Sequence, residues 1–435
     1  MVIAYAQIYQ GEQRMKIKKI FISTALACSM TASILFSNMS FYNNHITYAA
    51  ETEQQEPINA AKRSKQEIKE YIENHPASIS DSVTYAEMPN PESPYKAGSL
   101  SNETLQSSLN IFNHVRYIAG LSEVTLNDTY NKTAQTSAVV IAADTTSVIS
   151  HFPAQPSDMP NDFYQLGADG AKSSNIGWGS WEGYTLNDCI VNGWMDDGDE
   201  YNIDRLGHRR WVLNPSMSAT GFGVTYKSNA PNIGTYLVMY AFDRNNTTAN
   251  ERGVSWPAQT MPVEYFGENF PWSISFGVPI SDDTTVKLTN TKSGKVWNFS
   301  KNSADGDFYI SNDSYGQRGC VIFRPSEKLS YESGDSYRVE ISNLGTSTLK
   351  NDVTYNVDFF SLNDKDDTPE ITEKYGDVDN NGEVNSSDAV ILKKYLAHMK
   401  NISCNEKLAD INHDGKVDSS DAVLLLKHLA GYNVM

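Results

Sequence analysis

Residues 377–397 and 410–430 are two copies of one motif, identical at 12 of 21 aligned positions at an offset of 33. Each copy places oxygen-bearing side chains at alternate positions of a short loop and a glycine at its sixth position. In the first copy these are Asp377, Asp379, Asn381, Asn385 and Asp388 around Gly382. In the second they are Asp410, Asn412, Asp414, Asp418 and Asp421 around Gly415. Alternate oxygen donors let an irregular loop wrap one hard cation, with the main-chain carbonyls of Glu383 and Lys416 supplying the seventh-position ligand. The expected ion is calcium, one per loop. The twelfth position carries Asp where an EF-hand carries Glu, and no helix-forming run precedes either loop at EF-hand distance. A block of about 60 residues has little core of its own, so its fold is expected to depend on the metal. The near symmetry of the copies predicts two nearly equivalent binding faces.

The rest of the chain is read against this tail. Its 435 residues are 40% apolar, 20% charged and 11% aromatic, enough for several packed domains. A formal net charge of −18 disfavours nucleic acid as a partner. Four cysteines, at 28, 189, 320 and 404, have no metal-site spacing and are too sparse for a disulfide scaffold. At the amino end Lys16, Lys18 and Lys19 precede the apolar stretch Ile20–Phe36, and Thr47-Tyr48-Ala49 offers a small-residue cleavage site. Residues 1–50 are therefore expected to be a secretion signal starting at Met15 and cut after Ala49 or Ala50. The competing readings are a retained anchor and lipid attachment at Cys28. No other stretch is long and apolar enough to predict a membrane span in the mature chain.

Residues 51–100 read as a polar spacer with one helical arm from about Ile58 to Glu73. Across 101–250 the pattern is α+β: Leu105, Leu109, Phe112 and Val115 share a helical face that stops at Gly120, and Asn127 caps a second helix carrying Tyr130, Ala134, Ala138 and Ile141. Two strand-like runs, Gly221–Tyr226 and Thr235–Phe242, follow. From 255 to 362 the alternation is β throughout and the size suits an immunoglobulin-like sandwich, without its Cys and Trp hallmark. Residues 363–374 read as a linker and 375–435 as a small all-α calcium-binding domain.

The duplicated tail, with Ser-Ser after each ninth-position ligand, resembles the type I dockerin module of cellulosomal proteins. The resemblance implies a calcium-folded domain that binds a cohesin on a scaffoldin. It places the recognition residues at Ser386, Ser387, Lys393 and Lys394 in one copy, and Ser419, Ser420, Leu426 and Lys427 in the other.

The 101–250 block carries Asn113-His114-Val115-Arg116-Tyr117, Ser150-His151-Phe152-Pro153, Ser174-Asn175-Ile176-Gly177-Trp178-Gly179 and Gly207-His208-Arg209-Arg210-Trp211. In this order and spacing they resemble the bacterial branch of the CAP superfamily, the secreted SCP-like fold. That resemblance implies an α-β-α sandwich whose cleft presents two histidines and two acids, in some members with a divalent metal. His151 and His208 match the histidines. The first acid is missing where Ser174 stands, leaving Glu182 as its candidate substitute; Asp197, Asp199 or Glu200 would supply the second. Two histidines with an acid would suit Zn²⁺, although HExxH is absent, as is the Gly-x-Ser-x-Gly of a serine hydrolase. The expected protein is a secreted, cellulosome-mounted CAP protein with a ligand-binding cleft in a polysaccharide-degrading complex. The alternative is a hydrolase using the same histidines.

Overall fold

The computed structural model describes residues 58–432, apart from 182, 346–348, 350–351, 365–373 and 401. The apolar stretch and cleavage site expected to form a secretion signal lie outside the described residues. Among the described residues no helix is long and apolar enough to cross a membrane.

Helix α1 (Lys65–Asn74) starts later than the apolar pattern from Ile58 predicts, because Ser64 and Glu67 close a capping box that fixes its first turn. Its apolar face buries Ile68 and Tyr71, and Tyr71 stacks on Tyr117 with ring centroids 3.9 Å apart. Strands β1 (Tyr85–Glu87) and β2 (Ser99–Leu100) then pair, with Leu100 buried. From Ile58 onward the expected spacer is therefore a packed outer layer. Its polar composition hid the few apolar anchors that hold it.

Ser101 caps α2 (Asn102–Ile118), which ends at Gly120 in a left-handed conformation with φ +79°. Every residue from Asn110 to Arg116 is buried, polar ones included, so this helix is covered on all sides. After β3 (Thr125–Leu126), Asn127 accepts from the amides of Thr129 and Tyr130 to open α3 (Asp128–Ala143). Helix α4 (Asn161–Lys172) lies so close to α3 that a Cβ on Gly167 would stand 2.3 Å from Val140 Cγ2 and one on Gly170 2.1 Å from Ser137 Oγ. Next come β4 (Ser174–Gly179), a short α5 (Leu186–Asp188) running into a π-helical turn over Cys189–Trp194, α6 (Gly207–Val212), and β5 (Ala219–Thr220), β6 (Phe222–Lys227) and β7 (Gly234–Tyr240).

β4, β7 and β6 form an antiparallel sheet in that order. Alternation along β7 sorts its side chains: Tyr236 and Val238 join Ala134, Ala138 and Ile141 of α3, whereas Leu237 and Met239 join Phe112 and Val115 of α2. Helices thus cover both faces of the sheet.

The β-rich block comprises β8 (Val254–Trp256), β9 (Thr260–Pro262), β10 (Trp272–Ser275), β11 (Thr285–Asn290), β12 (Val296–Ser300), β13 (Ser303–Ala304), β14 (Gly306–Ser311), β15 (Cys320–Pro325), β16 (Ser336–Ser342) and β17 (Val353–Phe360). One sheet runs β14-β15-β10-β8 and the other β13-β12-β11-β16-β17-β9, antiparallel except where β17 meets β9. Inward residues of both, among them Trp272, Phe323, Leu288, Val339 and Phe359, share one core, and that core continues without a break to Phe112 and Ile68.

The C-terminal helices α7 (Ser386–Leu396), α8 (Glu406–Ala409) and α9 (Ser419–Leu429) enclose a separate small core of Val378, Ala389, Leu392, Ala409, Ile411 and Leu425. The protein is thus multidomain: helices and sheets mixed over most of its length, and a small helical domain at the end.

Candidate functional site

In the first C-terminal loop the Asp377 carboxylate accepts from the amides of Asn381 and Gly382, folding the chain back on itself. Gly382 takes a φ of +89° at this turn, and Asn380, two residues before it, one of +59°. Asp388 does two jobs from the first turn of α7. One oxygen accepts from Val378 and Asp379, and the other completes a capping box with Asn385. Carboxylate oxygens of Asp377, Asp379 and Asp388 thereby lie within 4.8 Å of one another. Three anionic oxygens so close repel one another unless a cation stands among them, and an all-oxygen set selects a hard ion. The second loop repeats the pattern bond for bond: Asp410 accepts from Asp414 and Gly415, and Asp421 from Ile411, Asn412 and Asp418. The residues fit two calcium ions. Asp377, Asp379, Asn381, Asn385 and Asp388 would hold one and Asp410, Asn412, Asp414, Asp418 and Asp421 the other, with the carbonyls of Glu383 and Lys416 completing them. What the metal supplies is neutralisation that fixes each loop against its helix.

Ser386, Ser387, Lys393, Lys394, Ser419, Ser420, Leu426 and Lys427 are all exposed. Between them lie Val390 and Val423, which sequence reasoning missed; they occupy the same place in each copy and are 48% and 50% exposed. An apolar residue kept at the same place in both copies, outside the core, was the available signal.

The second site is a cleft of about 520 Å³ opening beside β4. His151 and His208, far apart in sequence, both line it. His151 comes from the loop before α4, and its Nδ1 lies 2.7 Å from the carbonyl of Ala171. A carbonyl can only accept, so Nδ1 donates and Nε2 is the free nitrogen. Burial chiefly holds this imidazole below the usual histidine range, the Ala171 contact opposes that, and nearby His208 adds to it.

His208 opens α6, with its Nδ1 2.7 Å from Asp197 Oδ1. The Asp197 side chain is only 1% exposed, and its other oxygen accepts from the amides of His208 and Arg209. Burial again acts to lower the His208 pKa. The charge of Asp197 and its hydrogen bond outweigh burial and raise it. The cleft therefore holds two imidazoles pushed in opposite directions.

Asp199 lines the cleft and is engaged locally with Tyr201 and Asn202. Glu200 is exposed and is not among the lining residues. Glu182 lies outside the described residues. Among the described residues the cleft holds no cluster of three ligating groups; Asp197 is spent on orienting His208. The expected zinc set is therefore unsupported, and no step is derived through it. Cys189 also lines the cleft, and burial pushes its thiol up to about 12, away from the reactive thiolate form.

The arginines beside His208 act mainly through backbone carbonyls. Arg209, fully buried, donates to the carbonyls of Met195, Asp196 and Pro271 and to Ser273 Oγ; Arg210 donates to those of Arg205, Asp313 and Gln317 and to Ser311 Oγ. Of the tryptophans, Trp194 and Trp211 are core residues, whereas Trp181 is 53% exposed.

Burial lifts Asp196 to about 6, although Arg209 and Arg324 pull it back. A folded-state pKa above the unfolded value means that the native protein binds the proton more tightly, so this group's contribution falls as pH rises from about 4 to about 6. Asp196→Asn is expected to raise the melting temperature at pH 7 and to flatten its pH dependence across that window, as read by calorimetry.

Residues 109–241 match the family model described as Cysteine-rich secretory protein family, CAP, and residues 375–430 match that of the Dockerin type I domain. A search of curated proteins finds no match to the chain. Among solved structures, the chain is similar to a component of a type I cohesin–dockerin complex from Clostridium thermocellum: 38% identity over 14% of this chain and 97% of that one, with a TM-score of 0.14. Twin oxygen loops behind capped helices, and a cleft pairing His151 with His208, thus coincide with the two matched stretches: the protein carries a CAP domain within residues 109–241 and a type I dockerin domain within residues 375–430.

Proposed function

We propose that this protein is a secreted, extracellular component of a cellulosome-type complex, attached by calcium-dependent binding of its dockerin to a cohesin on a scaffoldin. The observation that carries the reading is the pair of loop-helix units, each fixing one exposed face that bears Ser-Ser, a valine and a lysine at matching positions. In this reading the cleft at His151 and His208 binds a ligand on behalf of a polysaccharide-degrading assembly. The two-sheet block is an immunoglobulin-like spacer that braces the cleft.

Cohesin pull-down in calcium buffer tests the attachment. Binding should be lost on adding EDTA and restored by calcium; capture that is insensitive to the chelator would overturn it. The two faces give a second expectation. Ser386→Asp with Lys394→Glu in one copy should weaken binding only about twofold, since an equivalent face survives, whereas the same changes in both copies should cost about a hundredfold.

One observation favours a second reading, a hydrolase. Paired groups whose environments push their pKa values apart are how a site holds an acid and a base at one pH, and His208 and His151 are such a pair. His208, oriented by Asp197, would donate a proton, and His151 would accept one at Nε2. Assay of the whole protein against polysaccharide and protein substrates separates the readings: turnover lost in both His151→Ala and His208→Ala identifies the enzyme, and ligand binding without turnover identifies the module.

A further inference from the structure

A cavity of about 770 Å³ lies where the segments after β7 and before β15 meet the amino-terminal layer, and it shares no lining residue with the His151 cleft. Three arginines line it from two stretches: Arg244 and Arg252 from the segment between β7 and β8, and Arg318 before β15. Among the described residues none of the three lies in an ion pair, in a chain whose acids outnumber its bases by 18. Among the described residues Glu251 is the one lining carboxylate, and its Oε2 accepts from the Asn250 amide. Among the described residues the lining therefore carries an excess of positive charge.

The rest of the lining is polar. Gln317 donates through Nε2 to the Glu251 carbonyl, while its buried Oε1 has no hydrogen-bond partner. Asn250, Ser216 and Ser314 add further donors and acceptors. Arg244 lies 5.3 Å above the Trp211 ring, which is packed at 4.6 Å against Phe242, and Phe242 is 45% exposed. Guanidinium groups recognise planar carboxylates in a bidentate manner, and amides and hydroxyls recognise sugar hydroxyls.

We propose that this cavity binds a carboxylated oligosaccharide, a short chain of uronic acid units, independently of the His151 cleft. A bare inorganic anion would satisfy the arginines but fill little of the volume and leave the amides and hydroxyls of Asn250, Ser216 and Ser314 unused. An acidic peptide would bring carboxylates without the hydroxyls that the walls are built to take.

Titration calorimetry on the full chain in calcium buffer tests this with trigalacturonate as the probe. Saturable binding is expected, weakened about tenfold or more by R244Q/R318Q and likewise by replacing the probe with neutral cellotriose. His151→Ala should leave it unchanged. Because Arg318 is exposed, R318Q alone provides a variant whose melting temperature should match the parent, and it should still weaken binding severalfold. No heat with trigalacturonate, or unchanged affinity in a folded R318Q, would overturn the proposal. So would equal affinity for sulfate, triglutamate or cellotriose.

Discussion

Adding EDTA to the protein is expected to strip helix from residues 374–432 while leaving the rest folded. Among the described residues the C-terminal core cluster comprises just six buried apolar side chains, and three carboxylates of the first loop converge within 4.8 Å. Without a cation their mutual repulsion falls on Asp388, the residue that also caps α7. One ion held at a hundred times its dissociation constant contributes about 2.7 kcal/mol, and two are comparable with the whole stability of a domain this small. The measurement is hydrogen exchange on the full chain with and without chelator. Protection over Ser386–Leu396 and Ser419–Leu429 should collapse, and that over α2 and β7 should persist. Protection unchanged throughout would refute metal-dependent folding. Asp388→Ala should abolish the difference by removing ligand and cap together.

Arg209→Ala is the point substitution expected to destabilise the larger part of the molecule most. Its guanidinium joins three carbonyls and a hydroxyl drawn from the acidic turn and from the start of β10. Truncation orphans those acceptors in a dry interior and removes the cation that restrains Asp196. At about 1–3 kcal/mol for each unsatisfied group, partly offset by water entry, a loss of about 4 kcal/mol is expected. That corresponds to a fall of roughly 8–15 °C in melting temperature. Arg209→Lys should recover only part of it, since one ammonium cannot span the four acceptors. A melt within about 2 °C of the parent would show that the carbonyls find other donors.

The dockerin loops could be read from sequence because their oxygen-bearing residues are local: residues at alternate positions of one short segment meet wherever that segment lies. Asn127 and Gly120 were legible for the same reason, each acting within a turn of its own helix. The cleft was only half legible. His151 and His208 could be nominated, but Asp197 was one of several acids in a run, and only the fold shows that it lies beneath His208 while Glu200 faces solvent. Helix α2 defeated periodicity altogether. Asn113, His114 and Arg116 are polar yet buried, each satisfied by a partner distant in sequence: the Val124 carbonyl, Tyr265 and the carbonyls of Val212 and Asn214. No alternation of apolar residues can report a helix whose polar side is also inside.

The unbroken interior from Ile68 to Phe360 sets how such a protein can be cut and recombined. A fragment ending near Asp243 would lose Trp256, Trp272 and the bonds that anchor Arg209, exposing a wet apolar wound and tending to aggregate. Inheritance can therefore trade the calcium-binding tail as a loose cassette, but the cleft and the strands behind it must travel together.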